Sequence, residues 1–206
     1  MKIECRPLGA IAANCYMISG ESAAVVVDPG AYSLKVKDFL DENKDKARMI
    51  ILTHGHFDHI GGALRLREET GTQITVGEND AKALSDPKLN LSELFGISMQ
   101  PFEADKTVSG GDVLTVGNLE FKVIHTPGHT VGGICLLLGD VLISGDILFE
   151  GSVGRTDFPG GNTNELIDSL AKLMTLDGET RVLSGHGRET TIKKERIHNP
   201  CLRGII

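Results

Sequence analysis

The chain has 206 residues, a formal net charge of −7 at pH 7, 40% hydrophobic residues and 24% charged residues. This composition is typical of a globular protein, and the length allows one well-packed core. A net negative charge argues against binding to nucleic acid or to an anionic membrane surface, because both require a concentrated basic face. We therefore expect neither partner, and the sequence does not indicate an oligomeric state.

The N-terminus lacks the pattern of an export signal. Glu4 and Arg6 interrupt the segment in which a secretory peptide needs an unbroken apolar stretch. No apolar run approaches the ~20 residues of a membrane span. The four cysteines lack C-x-x-C spacing, so neither a zinc ribbon nor a dithiol redox centre is predicted. These features together predict a cytoplasmic protein.

Apolar runs alternate with amphipathic segments along the chain, which predicts an α/β protein. Strands are expected at residues 2–8, 12–19, 22–27, 49–52, 73–76, 106–108, 112–116, 119–125, 131–138, 141–145 and 181–183. Helices are expected at residues 33–43, 59–69, 78–85, 163–175 and 189–198. Ser33 and Asp58 stand where N-caps of the first two helices would lie. Residues 86–100 are predicted to be irregular and to border the site.

Residues 50–62 concentrate side chains that bind metals. They hold three of the chain's seven histidines directly after an apolar run. The potential ligands are His54, His56, Asp58 and His59. Imidazole and carboxylate are preferred ligands of zinc and related metals, and successive residues of an extended backbone project to opposite sides. One short loop is therefore predicted to serve two metal ions.

The same local pattern recurs at three further strand ends. Each apolar run is followed by a small or turn residue, a glycine and a potential ligand, which is His129, Asp146 or His186. Glycine lets the backbone turn sharply, and binding sites gather at the carboxyl ends of strands in layered α/β proteins. Seven ligands from four strand ends suit two metals that share one bridging carboxylate.

The two halves of the chain resemble each other weakly. Residues 53–56 and 126–129 follow apolar strands in one register, and residues 60–62 resemble residues 131–133. This similarity indicates a duplicated α/β unit, which predicts two sheets face to face with helices outside. Because no linker rich in proline, serine or charge separates the halves, we expect a single domain over residues 1–206.

Four short motifs resemble the successive motifs of the metallo-β-lactamase fold superfamily, namely T-H-G-H-F-D-H, H-T-P-G-H-T, S-G-D and S-G-H-G. Within it, the chain most resembles the small glyoxalase II-like (hydroxyacylglutathione hydrolase-like) hydrolases. That resemblance rests on residues 14–16, residues 28–30 and the segment G-S-V-G-R-T-D-F-P-G-G-N at residues 151–162. It covers nearly the whole chain and implies a four-layer αββα sandwich. The motifs are highly specific for the superfamily and much less specific for the substrate.

The resemblance also implies a ligand assignment and a reaction. One metal would be bound by His54, His56 and His129, the other by Asp58, His59 and His186, with Asp146 as the bridge. The implied cofactors are two divalent ions, zinc in the first place, with iron and manganese as alternatives. A metal-bridging hydroxide would then attack a small-molecule thioester such as an acylglutathione, and Asp58 would orient that nucleophile or take its proton.

Two residues outside the ligand set have alternative roles. Asp28 either orients a metal ligand from outside the coordination sphere or forms a turn. Arg155 either faces the substrate or pairs with Asp157, which would set the shape of its loop. His125 and His198 are expected to be structural and solvent-exposed, respectively.

The substrate and the reaction class also have alternatives. Full-length glyoxalase II enzymes carry a C-terminal helical domain for glutathione, whereas this chain ends 20 residues after His186. Another small thioester, a lactone or another small ester is therefore an alternative substrate. The alternative functions are a mononuclear iron persulfide dioxygenase, which shares the ligand motifs, and a metal-stabilised binding protein without turnover.

Overall fold

The structure, a computed structural model, describes residues 1–205. One six-stranded sheet comes from the first half of the chain. Its strands are β1 Lys2–Leu8, β2 Ala13–Ser19, β3 Ala23–Val27, β4 Ala47–Leu52, β5 Ile74–Gly77 and β6 Lys106–Val108. They lie side by side in chain order. β1, β2 and β3 pair antiparallel, whereas β3 to β6 run parallel, so β4 and β5 end at the same edge.

A second six-stranded sheet comes from the other half. Its strands are β7 Val113–Val116, β8 Leu119–His125, β9 Ile134–Leu138, β10 Val141–Gly145, β13 Arg181–Ser184 and β14 Thr190–Thr191. Their order is β14-β13-β10-β9-β8-β7. Only the β10–β13 pair is parallel. A short hairpin of β11 Leu148–Phe149 and β12 Ser152–Val153 follows β10.

Most helices lie between these strands in the chain, and the last two follow β14. They are α1 Leu34–Glu42, α2 Phe57–Ile60, α3 Ala63–Thr70, α4 Ser92–Phe95, α5 Thr163–Leu173 and α6 Ile192–His198, with 3-10 helices at Glu78–Leu84 and Pro200–Leu202. Over residues 1–205, no helix has the length and apolar character that crossing a membrane requires.

The central apolar layer joins the two sheets. Val25 and Ile51 of the first sheet pack with Phe121, Leu136 and Ile143 of the second, and all five are fully buried. Burial of apolar side chains on this scale is the main force that holds sheets face to face.

Two further apolar layers lie between the sheets and the helices that cover their outer faces. Leu40 of α1 and Leu66 of α3 pack on Val26 and Ile50 of the first sheet. On the far side, α5 and α6 pack on the second sheet in the same manner, with Leu170 as an example of a buried contact. The predicted four-layer αββα sandwich is confirmed by this arrangement.

The helix predicted at residues 59–69 differs from the structure. It is two helices, α2 and α3, separated by Gly61 and Gly62. The turn after β3 passes so close that a β-carbon on Gly62 would lie 2.5 Å from the main chain of Ala31. The Gly62 N–H donates to the carbonyl of Pro29 at 2.7 Å. Asp58 is consequently not an N-cap but lies within the first turn of α2, whose N-cap is His56.

Two further details differ from the prediction. Ser33 is the N-cap residue of α1, as predicted, but its side chain makes no capping hydrogen bond. The strand predicted at residues 131–138 begins only at Ile134. Residues 131–133 form a loop in which the Gly132 N–H donates to the Asp80 carboxylate instead of to a neighbouring strand.

Asp80 connects the loops that follow β4 and β8. Its carboxylate accepts hydrogen bonds from the Gly55 N–H at 3.0 Å, the Thr130 hydroxyl at 2.7 Å and the Gly132 N–H at 2.7 Å. The residue is 2% exposed, so water does not compete for these bonds. One carboxylate therefore fixes the distance between a loop of the first sheet and a loop of the second.

We predict that Asp80→Asn lowers the free energy of unfolding by about 1.5–3 kcal/mol. The amide keeps one acceptor oxygen but turns an NH2 group toward a donor, which removes at least one bond to a charged acceptor. Urea unfolding at a fixed metal concentration measures the change. The control is Asp45→Asn, on the exposed surface, which should shift stability by less than about 0.5 kcal/mol. Equal stability of both variants would contradict the role of Asp80.

Candidate metal centre

The seven predicted ligands lie in one cleft at the ends of strands from both sheets. The loop after β4 carries four of them, because the chain turns there into the short helix α2. The loops after β8, β10 and β13 carry His129, Asp146 and His186, respectively. Residues that are up to 132 positions apart in the chain, such as His54 and His186, therefore share one site.

The side chains divide into two groups with metal-binding geometry. One group is His54, His56 and His129, and the other is Asp58, His59 and His186. In each group the ligand atoms lie within 4.8 Å of one another. These groups are the same two sets that the sequence resemblance implies. Asp28, His54 and His59 form a third such group, but the Asp28 oxygens are already occupied by hydrogen bonds described below.

Asp146 lies between the two groups. Its Oδ1 is 3.4 Å from His59 Nε2, and its Oδ2 is 3.7 Å from His129 Nε2 and 3.6 Å from His186 Nε2. It is thus close to imidazoles of both sets and is 11% exposed. This position is the one that a bridging carboxylate requires.

The nitrogen and oxygen atoms that would bind a metal suit this role because most of them make no hydrogen bond. The Nε2 atoms of His54, His56, His59 and His129, and Oδ1 of Asp146, are buried without a hydrogen bond among the described residues. Buried polar atoms are almost always paired, since desolvation of an unpaired group is costly. Several such atoms that converge on one point therefore fit a site for cations with nitrogen and oxygen ligands.

Asp28 orients His59 from outside the two groups. Its carboxylate accepts from the Thr53 N–H at 2.7 Å, the Thr53 hydroxyl at 2.6 Å and His59 Nδ1 at 3.0 Å. Because His59 donates to Asp28 from Nδ1, Nε2 is the ring nitrogen left to bind a metal. Thr53 Oγ1 also lies 3.1 Å from His54 Nδ1 and accepts from it, since its own proton is given to Asp28. Of the two roles considered for Asp28, the contacts favour the orienting one.

Arg155 contacts the site through its main-chain carbonyl and through its side chain. His129 Nδ1 donates to the Arg155 carbonyl at 2.8 Å, which again directs Nε2 toward the cleft. The guanidinium forms two 2.6 Å hydrogen bonds to Asp157 and lies 3.9 Å from the centre of the Phe158 ring. The ion pair considered for this loop is therefore present, and Arg155 also lines the cavity at the site.

The protonation states of the histidines differ across the cleft. Burial lowers the pKa of His54 well below its usual value and lowers that of His56 to about 3. Both are therefore neutral, which ligation requires. Burial also acts against the charged form of His59, but the carboxylates of Asp146 and Asp28 outweigh it and raise its pKa. The carboxylates that favour a positive charge are thus those next to His59, namely Asp146 and Asp28.

Gly185 shows how closely the ligands are packed. A β-carbon at this position would lie 2.1 Å from Asp146 Oδ1 and 2.7 Å from His59 Cε1. Gly145 has a φ of +50°, and a β-carbon there would lie 2.6 Å from Thr53 Oγ1. The glycine that precedes a ligand at these strand ends therefore provides space as well as a turn.

A cavity of about 460 Å³ opens beside the ligands. Its volume lies within the usual range of small-molecule sites, about 300–1,000 Å³. Apart from the predicted ligands, Gly154 and Arg155, its walls are apolar: Ile11, Phe57, Leu91, Phe95, Phe149, Val153 and Phe158. Four of the chain's seven phenylalanines are in this set.

Sequence analysis missed Asp80 and most of this apolar wall. A signal for Asp80 was present, since β5 is an apolar run that ends at Gly77 with a carboxylate shortly after it. No comparable pattern marks Phe95 itself, but it comes from residues 86–100, which were predicted to border the site and do so through Leu91 and Phe95. His125 lies outside the cleft, where its Nε2 donates to the Val131 carbonyl at 3.1 Å. This contact fits the structural role expected for it.

Comparisons with known proteins agree with this geometry. Residues 8–186 match the family model described as "Metallo-beta-lactamase superfamily". The chain is 34% identical to the Haemophilus influenzae protein named "Hydroxyacylglutathione hydrolase GloC", with 98% of each chain covered.

Two solved structures are similar over nearly the full length. A crystal structure of the BLEG-1 B3 metallo-beta-lactamase has a TM-score of 0.92 at 37% identity and covers 98% of this chain and 100% of its own. A crystal structure of TTHA1623 in a di-iron-bound form has a TM-score of 0.84 at 32% identity, with coverages of 95% and 98%. The match to the family model over most of the chain and this shared fold show that the protein belongs to the metallo-beta-lactamase superfamily.

Proposed function

We propose that this protein is a binuclear metal-dependent hydrolase that cleaves a thioester. The observation that carries the proposal is the position of Asp146, between two three-residue groups that each have metal-binding geometry. A mononuclear site would leave one of those groups without a cation. The relative that holds two irons supports two metals per chain, and zinc remains our first expectation for this protein.

The residues of the chain would have distinct roles. The five histidines of the two groups, Asp58 and Asp146 would hold the ions, which would supply Lewis acidity that polarises a carbonyl group and makes water a nucleophile at neutral pH. Asp58 lines the cavity, where its carboxylate can orient an attacking water molecule and accept its proton. Asp28 and the Arg155 carbonyl would keep the imidazoles oriented during turnover.

The choice of a thioester rests on the hydroxyacylglutathione hydrolase relative and on the glyoxalase II-like motifs. A β-lactam is the second candidate substrate, because the BLEG-1 structure is named a metallo-beta-lactamase and matches the whole chain. Both reactions use water to attack an acyl carbon, so the same residues would serve either one. The substrates differ in the leaving group, which is a thiolate in the first case and an amine in the second.

We predict two metal equivalents per chain after repletion, and fewer for Asp146→Asn. The substitution removes the charge that lies between the two sets, which leaves two cations facing each other with less compensation. Elemental analysis of the dialysed protein measures the content. Asp140→Asn, in an exposed turn shortly before Asp146, is the matched control and should keep both metals. A variant at position 146 that retains two equivalents would show that Asp146 does not bridge.

We also predict that the zinc-loaded protein releases thiol from an acylglutathione or a simpler acyl thioester at the same rate with and without oxygen. Zinc has no redox chemistry, and hydrolysis needs only water as the second substrate. Thiol release is followed with a chromogenic disulfide, and a β-lactam is assayed in parallel. Oxygen uptake by the iron form with glutathione persulfide, together with no thiol release by the zinc form, would instead identify a persulfide dioxygenase. Cleavage of the β-lactam alone would select the second candidate.

A further inference from the structure

We propose that the cavity beside the metal centre recognises an apolar chain of the substrate, and not the charged groups of a glutathione moiety. The inference rests on the proposed hydrolase function and specifies the substrate class of that site. The apolar chain can belong to the acyl group or to the leaving group, and the experiment below separates these two sources.

An aromatic cluster forms one wall of the cavity. The ring centres of Phe57 and Phe95 are 5.2 Å apart, and those of Phe95 and Phe158 are 6.2 Å apart. Phe158 also lies 6.2 Å from the His56 ring, which places the cluster directly beside one ligand set. Such spacings are those of attractive aromatic pairs. The wall is therefore preformed rather than assembled around a ligand.

The cavity lining is apolar beyond this cluster as well. Phe149 lies 6.4 Å from His186, beside the other ligand set. Ile11 and Phe95 are 45% and 47% exposed at the cavity, so large apolar surfaces remain in contact with water. Exposed apolar surface that borders a concave site is typical of ligand binding, because a ligand that covers it releases that water.

One residue of the cavity wall has a strained backbone conformation. Leu91, which lines the cavity and is 2% exposed, has a φ of +68°, in the left-handed region that disfavours leucine. The segment is anchored by the Phe57 N–H, which donates to the Asn90 carbonyl at 2.9 Å, and by the Asn90 side chain, which donates to the Ala83 carbonyl at 2.9 Å. Strained residues of this kind persist where the surroundings fix them, often at binding sites.

The cavity offers little to a charged ligand. Among the described residues that line it, Arg155 is the one arginine or lysine. The Nε and Nη2 edge of its guanidinium is paired with Asp157, and the guanidinium plane lies against the Phe158 ring. The carboxylates of glutathione would meet no unpaired arginine or lysine on these walls. An alkyl or aryl group would instead bind favourably, because these apolar walls would remove it from water.

The first test uses binding, which does not depend on turnover. Straight-chain carboxylates from acetate to octanoate are titrated into the zinc-loaded protein by calorimetry. Burial of each methylene group should strengthen binding by about twofold to fourfold until the cavity is filled. The substitution Phe95→Ala should weaken octanoate binding by about twofold to tenfold and leave acetate binding unchanged. Leu94→Ala is the matched control, since Leu94 is a neighbour in α4, is 64% exposed and does not line the cavity.

The second test uses cleavage and separates the two sources of the chain. One series keeps N-acetylcysteamine as the thiol and lengthens the acyl group from acetyl to octanoyl. The other keeps the acetyl group and lengthens an alkyl thiol from ethyl to hexyl. A rise in kcat/KM in the first series assigns the wall to the acyl group, and a rise in the second assigns it to the leaving group. Either rise supports the proposal.

Two results would overturn the proposal. One is carboxylate binding that does not depend on chain length. The other is an acylglutathione whose kcat/KM exceeds that of the N-acetylcysteamine thioester of the same acyl group by tenfold or more. If no thioester is cleaved but octanoate still binds more tightly than acetate in a Phe95-dependent manner, the thioester hydrolase function fails and the apolar site stands.

Discussion

The interaction on which the centre depends is that of buried carboxylates with the imidazoles around them. Asp146 lies within 3.4–3.7 Å of imidazoles from both ligand groups. Asp28 lies behind His59, in contact with its other ring nitrogen. Carboxylates removed from water need positive charge nearby, and the neutral imidazoles of His54 and His56 cannot supply it. The arrangement thus calls for cations in the cleft, and the unpaired Nε2 atoms show where they would be bound.

The fold places these groups by packing two sheets face to face, so that strand ends of both sheets meet at one edge of the sandwich. The first sheet delivers four ligands from one loop, whereas the second delivers one ligand from each of three strand ends. The central apolar layer sets the distance between the sheets, and Asp80 sets the distance between the loops of β4 and β8. Packing provides the coarse geometry of the site, and hydrogen bonds to single carboxylates provide the fine geometry.

Much of the fold could be predicted from the sequence because its signals are local. Unbroken apolar runs such as residues 23–27 identify buried strands, and the glycine before each ligand identifies the strand ends. The break between α2 and α3 was not predictable in this way. It arises because the turn after β3 packs against Gly61 and Gly62, a contact between segments about thirty residues apart.

The candidate site also has one part that local sequence signals predict and another part that depends on contacts between distant segments. The predicted ligands follow a repeated pattern in the sequence, and the structure brings all seven together. The apolar wall has no pattern, because Phe57, Phe95, Phe149 and Phe158 come from four unrelated segments and meet only in three dimensions. The alternatives for Asp28 and Arg155 likewise depended on contacts with residues distant in the chain, which only the folded arrangement provides.

The contact between His129 and the Arg155 carbonyl separates two tasks that are usually combined in one side chain. Every amino acid has a main-chain carbonyl, so a substitution at residue 155 does not remove the acceptor of this imidazole. A side chain that keeps the shape of the loop can therefore replace arginine over evolutionary time, or in a mutant library, without loss of the imidazole's orientation. This makes residue 155 a site at which new substrate preferences can arise while the metal chemistry is inherited unchanged.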